Sequence, residues 1–184
     1  MIENEFKIML SAAQYAKIRD FYEWDDLVSQ TNHYFDTDEL DLRGRRITCR
    51  AREISGEYFL QLKLPADEIF SRVELEKRLD FLPAEIIGEE LCGLAENVDF
   101  PDVKRLGALH TNRLVKRFRG AEIDLDESEY FGITDYELEI EFTDEIAARK
   151  LLAEVLDIIG ENRSEEVVCR GKIQRFIDEF LRNK

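Results

Sequence analysis

The sequence predicts an α+β fold: an eight-stranded antiparallel β-barrel forming a tunnel, with helices packed outside. Two patterns predict it. Charged and apolar residues alternate with period two in run after run, and stretches with helical spacing fall between those runs. In the opening run Glu3, Glu5 and Lys7 share one side of a strand while Phe6, Ile8 and Leu10 share the other. Later runs place together Arg50 and Arg52; Gln61 and Lys63; Glu74, Glu76 and Arg78; Asp124 and Asp126; and Glu137, Glu139 and Glu141. Small barrels usually fill their interior with apolar side chains. Here the alternation turns charge inward and leaves the apolar face for helices to cover.

The elements follow in order. After the first strand, Ser11 is placed to cap a helix to about Tyr22, with Tyr15, Ile18 and Tyr22 on one stripe. Residues 23–30 read as an acidic link, 31–36 as a strand, and Asp36-Thr37-Asp38-Glu39 as a turn. Residues 45–54 and 57–64 form a hairpin about Ser55-Gly56, and another strand covers 71–81. Pro83 starts a helix to about Ala95, since proline is tolerated in a first helical turn. Three strands follow at about 108–119, 121–127 and 133–143, the first two joined by Arg119-Gly120. Asp144 and Glu145 open a helix whose Leu151, Leu152, Val155, Leu156 and Ile159 face inward and which Gly160 stops. A last helix spans about Gly171 to Arg182, with Phe176, Ile177 and Phe180 on one side.

At 184 residues, with no linker rich in Pro, Gly or Ser, the chain reads as one domain over 1–184. No apolar run approaches the roughly 18 residues of a membrane helix, and Glu3 and Glu5 near the start do not suit a secretory signal. A cytoplasmic protein without membrane contact is expected. Cys49, Cys92 and Cys169 are widely spaced and form no CxxC pair, which argues against a disulfide framework or a zinc site. Cys49 falls on the apolar side of its strand, as a reduced core thiol. His33 and His110 are too far apart to suggest imidazole ligation, so any metal here would be held by oxygen. The net charge of −15 argues against nucleic-acid binding. It leaves room for a small polyanion, because cations in a narrow site can reverse the global sign.

The charged faces suggest chemistry. A solvated strand face gives the same alternation as Glu3, Glu5 and Lys7, but two carboxylates and a lysine about 6.5–7 Å apart also suit an extended metal-bound polyanion. Glu137, Glu139 and Glu141 repel one another on one strand face, and a hard cation such as Mg²⁺ or Mn²⁺ removes that penalty. Asp124, on the neighbouring strand, could complete such a site. Arg50, Arg52, Lys63, Arg113 and Arg117 supply the cations. Guanidinium forks bind phosphate oxygens bidentately and lysine acts as a point charge. Their structural role would be cross-strand pairing with Glu74 and Glu76, and both roles can hold in turn, with the site empty and filled. Lys172, on the terminal helix, is the outlying member. Phosphate-loop, dinucleotide, serine-hydrolase and HExxH zinc motifs are absent from the sequence.

Glu3-x-Glu5-x-Lys7 resembles the ExExK signature of the CYTH domain, the triphosphate tunnel metalloenzyme superfamily. The likeness continues in order through Tyr34-Phe35-Asp36-Thr37, Leu42-Arg43, Arg50-x-Arg52, Leu62-Lys63, Glu74-x-Glu76, Thr111-x-Arg113, Asp124-Leu125-Asp126, Glu137-x-Glu139 and Lys172-x-x-Arg175-Phe176. The resemblance implies an eight-stranded antiparallel barrel whose tunnel takes triphosphates. It implies that Lys7, Arg50, Arg52, Lys63, Arg113 and Arg117 bind phosphates, with Glu74, Glu76 and Lys172 counted in the same set. Asp124, Glu137 and Glu139 would hold the metal, with Glu141 beside them, and Glu3, Glu5 and Lys63 would serve the chemistry. Two positions depart from the family: Gln61 stands where a threonine is common, and Thr48 where thiamine triphosphatases carry tryptophan.

The expected activity is metal-dependent hydrolysis of inorganic triphosphate or a small organic triphosphate, by a monomer or homodimer. The alternatives are an adenylate cyclase releasing cyclic AMP and pyrophosphate, and a non-catalytic polyphosphate or nucleotide binder.

Overall fold

The structure is a computed structural model that describes residues 4–65, 72–95, 98–161 and 170–184. Glu3 and Cys169 lie outside the described residues. The order of elements is β1 (Glu5–Leu10), α1 (Ala12–Phe21), β2 (Asp26–Asp36), α2 (Asp41–Gly44), β3 (Thr48–Ile54), β4 (Glu57–Pro65), β5 (Arg72–Leu79), β6 (Glu85–Ile86), α3 (Gly88–Leu94), β7 (Val103–Phe118), β8 (Ala121–Tyr130), β9 (Ile133–Phe142), α4 (Glu145–Ile159) and α5 (Lys172–Arg182). The class is the expected α+β, dominated by antiparallel strands with helices packed outside. The chain divides into two compact units, one of Gln30–His110 with Lys172–Lys184 and one of Glu3–Ser29 with Thr111–Gly171.

In the second unit the strand order is β1-β9-β8-β7. β1 runs antiparallel to β9 from Glu5↔Glu141 to Leu10↔Tyr136, and β8 to β9 from Ala121↔Phe142 to Tyr130↔Ile133. This register puts Phe6, Ile8, Ile123, Leu125, Leu138 and Ile140 in one buried layer, covered by Tyr15 and Ile18 of α1 and Leu151, Val155 and Ile159 of α4. Each buried aliphatic side chain contributes about 1.5–3 kcal/mol. The two covering helices start where the sequence places them. Ser11 Oγ accepts from Gln14 N–H and Gln14 Oε1 accepts from Ser11 N–H, a reciprocal capping box. The Asp144 carboxylate caps Ile146 and Ala147, and Gly160 ends α4 in the left-handed region at φ 75°.

In the first unit the order is β7-β2-β3-β4-β5, with β6 paired to β7. Ser55 and Gly56 both take positive φ, 53° and 79°, as a two-residue turn matched to strand twist requires. Phe35, Cys49, Ala51, Leu60 and Leu62 form a core with Leu42 of α2 and Leu91 of α3. Burial pushes the Cys49 thiol up, in keeping with an inert core thiol.

Several elements differ from expectation, β7 among them, which starts at Val103 rather than at about 108. β2 begins at Asp26, inside the expected acidic link: Asp25 N–H donates to Val115 O at 2.9 Å and its carboxylate accepts from Lys116 Nζ and Arg117 N–H. A basic strand neutralises the acidic run. The helix after Pro83 starts only at Gly88, because Glu85 and Ile86 pair with Lys104 and Val103 as a short strand. α2 was not expected, and it rests on Asp36, whose carboxylate accepts from the backbone of Thr37, Leu42 and Arg43. No helix among the described residues is long and apolar enough to cross a membrane.

Candidate functional site

In the second unit the β8–β9 register sets Asp124 opposite Glu139, Asp126 opposite Glu137 and Glu122 opposite Glu141. On the other side of β9, Lys7 stands opposite Glu139 and Glu5 opposite Glu141. Like charges directly opposed destabilise a sheet, and these are out of water: Asp124 is 1% exposed, Asp126 and Glu137 0%, Glu139 6%. A solvated strand face does not account for them.

Among the described residues, Arg113 and Lys7 hold this set. Arg113, on β7, donates from Nε and Nη2 to the two oxygens of Asp126 at 2.8 and 2.7 Å, from Nη2 to Glu139 at 2.7 Å, and from Nη1 to Asp124. Burial works against the guanidinium charge, but the bonds to Asp126 and the charges of Glu139 and Asp124 raise its pKa further above its ordinary value. Lys7 Nζ lies 2.6 Å from Glu139, 3.3 Å from Glu5 and 3.8 Å from Glu137. Among the described residues, Arg113 and Lys7 are cations set against these buried carboxylates. Burial pushes Asp124 up to about 7; Arg113 pulls against this, and Asp126, Glu141 and Glu139 add to the rise. Its Oδ1 is buried without a hydrogen-bond partner among the described residues.

The donor set suits a hard divalent ion. Carboxylate oxygens of Asp126, Glu137 and Glu139 come within 4.8 Å of one another, and so do those of Glu5, Glu139 and Glu141. The Asp124 Oδ1, without a hydrogen-bond partner among the described residues, points the same way.

The first unit carries a second charged face. β3 and β4 set Arg50 opposite Gln61 and Thr48 opposite Lys63, and β5 sets Glu76 opposite Gln61 and Glu74 opposite Lys63. Arg50 Nε donates to Gln61 Oε1 at 2.7 Å, and Gln61 Nε2 donates to Glu76 at 2.6 Å. Glu74 lies 3.2 Å from Lys63 Nζ and 3.7 Å from Arg50 Nη2. Arg52 Nε meets Asn32 Oδ1 at 3.4 Å. The buried Nη2 of Arg50 makes no hydrogen bond among the described residues. Such a donor is costly unless an acceptor arrives.

Of the expected residues, the structure thus gathers Glu5, Lys7, Arg113, Asp124, Glu137, Glu139 and Glu141 in one unit, and Arg50, Arg52, Lys63, Glu74 and Glu76 in the other. Arg117 is exposed and paired with Asp26 and Glu122 rather than with the buried carboxylates. Lys172 opens α5, half-buried. Asp126 is a member of the metal-competent group that the sequence reading placed on the charged face without assigning it to the metal. Its spacing of two from Asp124 was the available signal. Gln61, noted only as a departure, links Arg50 to Glu76.

A family model for the CYTH domain matches residues 1–171. The chain belongs to the CYTH domain family. This CYTH domain is similar to YjbK of Bacillus subtilis, a candidate triphosphatase, at 32% identity over 186 residues, covering 97% of this chain and 95% of the relative. Among solved structures it is similar to a candidate adenylate cyclase from Bacillus halodurans, at 28% identity and a TM-score of 0.73 over 95% of this chain and 97% of the other. HpAC1 from Hippeastrum, a candidate adenylyl cyclase with a dominant triphosphatase activity, shares the fold at 24% identity and a TM-score of 0.71, over 97% and 96% of the two chains.

Proposed function

We propose that this CYTH domain hydrolyses a triphosphate with the help of a divalent metal ion, cleaving the terminal phosphoryl group. The observation that carries the reading is the buried carboxylate group of Asp126, Glu137 and Glu139 on β8 and β9, whose oxygens lie close enough together to share one cation, beside Lys7 and Arg113. The similarity to YjbK supports the same activity. Mg²⁺ or Mn²⁺, held by Asp126, Glu137 and Glu139 with Asp124 and Glu141 beside them, would supply Lewis-acid neutralisation of phosphate oxygens.

The chain's own residues do the rest. Arg50, Arg52 and Lys63 bind phosphate oxygens, Arg50 through the Nη2 that lacks an acceptor. Glu74, Glu76 and Gln61 hold Arg50 and Lys63 in place before substrate arrives. Lys7 and Arg113 bind the phosphate nearest the carboxylates, Arg113 exchanging one of its carboxylate bonds to do so. Arg117 and Lys172 are assigned to the outer phosphate contacts. Glu5, with its carboxyl still partly open to solvent, orients water for in-line attack, and Glu3 is assigned beside it. The water oxygen bonds to the terminal phosphorus, the bridging P–O bond breaks, and orthophosphate leaves the diphosphate product. Positioning and charge neutralisation provide most of the acceleration.

The test is phosphate release from inorganic triphosphate, ATP and thiamine triphosphate, each with Mg²⁺, with Mn²⁺ and with EDTA. Metal-dependent orthophosphate release is the expected result. The similarity to the Bacillus halodurans protein supports a second reading, in which ATP yields cyclic AMP. Cyclic AMP formed together with pyrophosphate, without orthophosphate, would establish it. Tight triphosphate binding without turnover would leave a binding protein.

A further inference from the structure

Across β3, β4 and β5 the register lines up Arg50, Gln61 and Glu76 in one rung, and Thr48, Lys63 and Glu74 in the next. The two rungs treat their cations differently. Lys63 Nζ meets the Glu74 carboxylate directly, at 3.2 Å. Arg50 is separated from Glu76 by a neutral side chain: its Nε donates to Gln61 Oε1 at 2.7 Å, and Gln61 Nε2 donates to Glu76 at 2.6 Å. Glu74 stands 3.7 Å from Arg50 Nη2, beyond hydrogen-bond length.

The carboxamide suits that place for a chemical reason. A guanidinium only donates and a carboxylate only accepts, so a group between them has to accept on one side and donate on the other. That fixes the direction of the Gln61 amide, oxygen toward Arg50 and nitrogen toward Glu76. Burial adds a second reason. Gln61 is 4% exposed and Arg50 9%, whereas Glu76 is exposed. The negative charge of the rung therefore stays in water, where it is screened, and the buried guanidinium is held by a neutral acceptor. A carboxylate at position 61 would also bond Arg50, but out of water, where its charge acts most strongly against an arriving phosphate. Arg50 Nη2, buried and without a hydrogen-bond partner among the described residues, is the part of the guanidinium left for that phosphate.

We infer that Gln61 is a positioning residue for triphosphate binding: it fixes the Arg50 guanidinium at Nε and keeps carboxylate charge one place away, so that Nη2 meets the phosphate as an uncancelled cation. The inference rests on the phosphate-binding reading of Arg50. Its test is calorimetric binding of inorganic triphosphate in EDTA, with KM and kcat in Mg²⁺ and thermal melting beside it. Gln61→Glu combined with Glu76→Gln moves the carboxylate onto Arg50 while keeping the net charge and both hydrogen bonds. Gln61→Met removes both bonds and adds no charge. The double variant should bind triphosphate about tenfold or more weaker than wild type, with Gln61→Met between the two. Both should raise KM more than they lower kcat. If Gln61 only braced the sheet, the order would reverse: the double variant would bind like wild type and Gln61→Met would be weaker, in step with its melting temperature. A double variant that binds as tightly as Gln61→Met, or tighter, would overturn the inference. Arg50→Ala separates the two failures. Lost binding there, with the Gln61 variants unchanged, removes the role of Gln61 alone. Arg50→Ala that binds like wild type, or wild type that binds no triphosphate in EDTA, overturns the phosphate-binding reading of Arg50.

Discussion

Glu139 meets Lys7 at 2.6 Å and Arg113 at 2.7 Å, so it looks at first like a residue the fold needs. The charge balance around it argues otherwise. Arg113 keeps both oxygens of Asp126 and its bond to Asp124 when Glu139 is removed, and Lys7 keeps Glu5 and Glu137. Glu139→Ala should therefore change stability by no more than about 1 kcal/mol while abolishing turnover. Thermal melting beside a phosphate-release assay checks both halves, and full activity in a folded variant would remove Glu139 from the metal site. Asp124 gives a second outcome. Its folded pKa of about 7 stands above the ordinary 3.8, so between these values the native state binds more protons than the unfolded one. Stability then falls as pH rises through that window and levels off above it, by at most about 4 kcal/mol. In EDTA, wild-type protein should lose midpoint temperature from pH 4 to 7 more steeply than Asp124→Asn, and parallel profiles would refute the assignment.

The helices and hairpins that rest on local chemistry were legible in the sequence. Ser11 with Gln14, Asp144 with Gly160, and Ser55-Gly56 each complete their own cap or turn within a few residues. What local reading missed is held from a distance. β6 exists because Glu85 and Ile86 find Lys104 and Val103, and α2 because Asp36 reaches the backbone six and seven residues on. The Arg119-Gly120 turn is legible in type, but its second function is not. Gly120 has φ 83° and its carbonyl accepts from both Thr143 and Asp144 N–H at 3.0 Å, and a Cβ there would come within 2.8 Å of Asp144 Cβ. One glycine thus serves the β7–β8 turn and the capping residue of α4. Gly120→Ala combines backbone strain with displacement of that cap, and should cost about 2 kcal/mol or more. Chemical denaturation measures it directly; an unchanged midpoint would mean the turn relaxes without disturbing Asp144.

For the whole molecule, the sequence reveals which residues share a charged face but not which of those charges lose their water. Glu137 and Arg78 alternate in the same way, yet Glu137 is fully buried while Arg78 is exposed and paired with Glu57. Burial depends on what packs above the face, which periodicity does not encode. That difference separates two effects of added cations on a chain of net charge −15. Monovalent salt screens exposed charge and reaches buried pairs far less. A divalent ion bound by Asp126, Glu137 and Glu139 stabilises by mass action, about 2.7 kcal/mol at a hundredfold excess over Kd, or roughly 5–10 °C in a chain of this size. Mg²⁺ or Mn²⁺ should therefore raise the melting temperature well beyond NaCl of equal ionic strength, and the excess should disappear in Asp126→Asn and in Glu139→Gln. If NaCl matches the divalent ions, or the variants respond like wild type, the metal lies elsewhere.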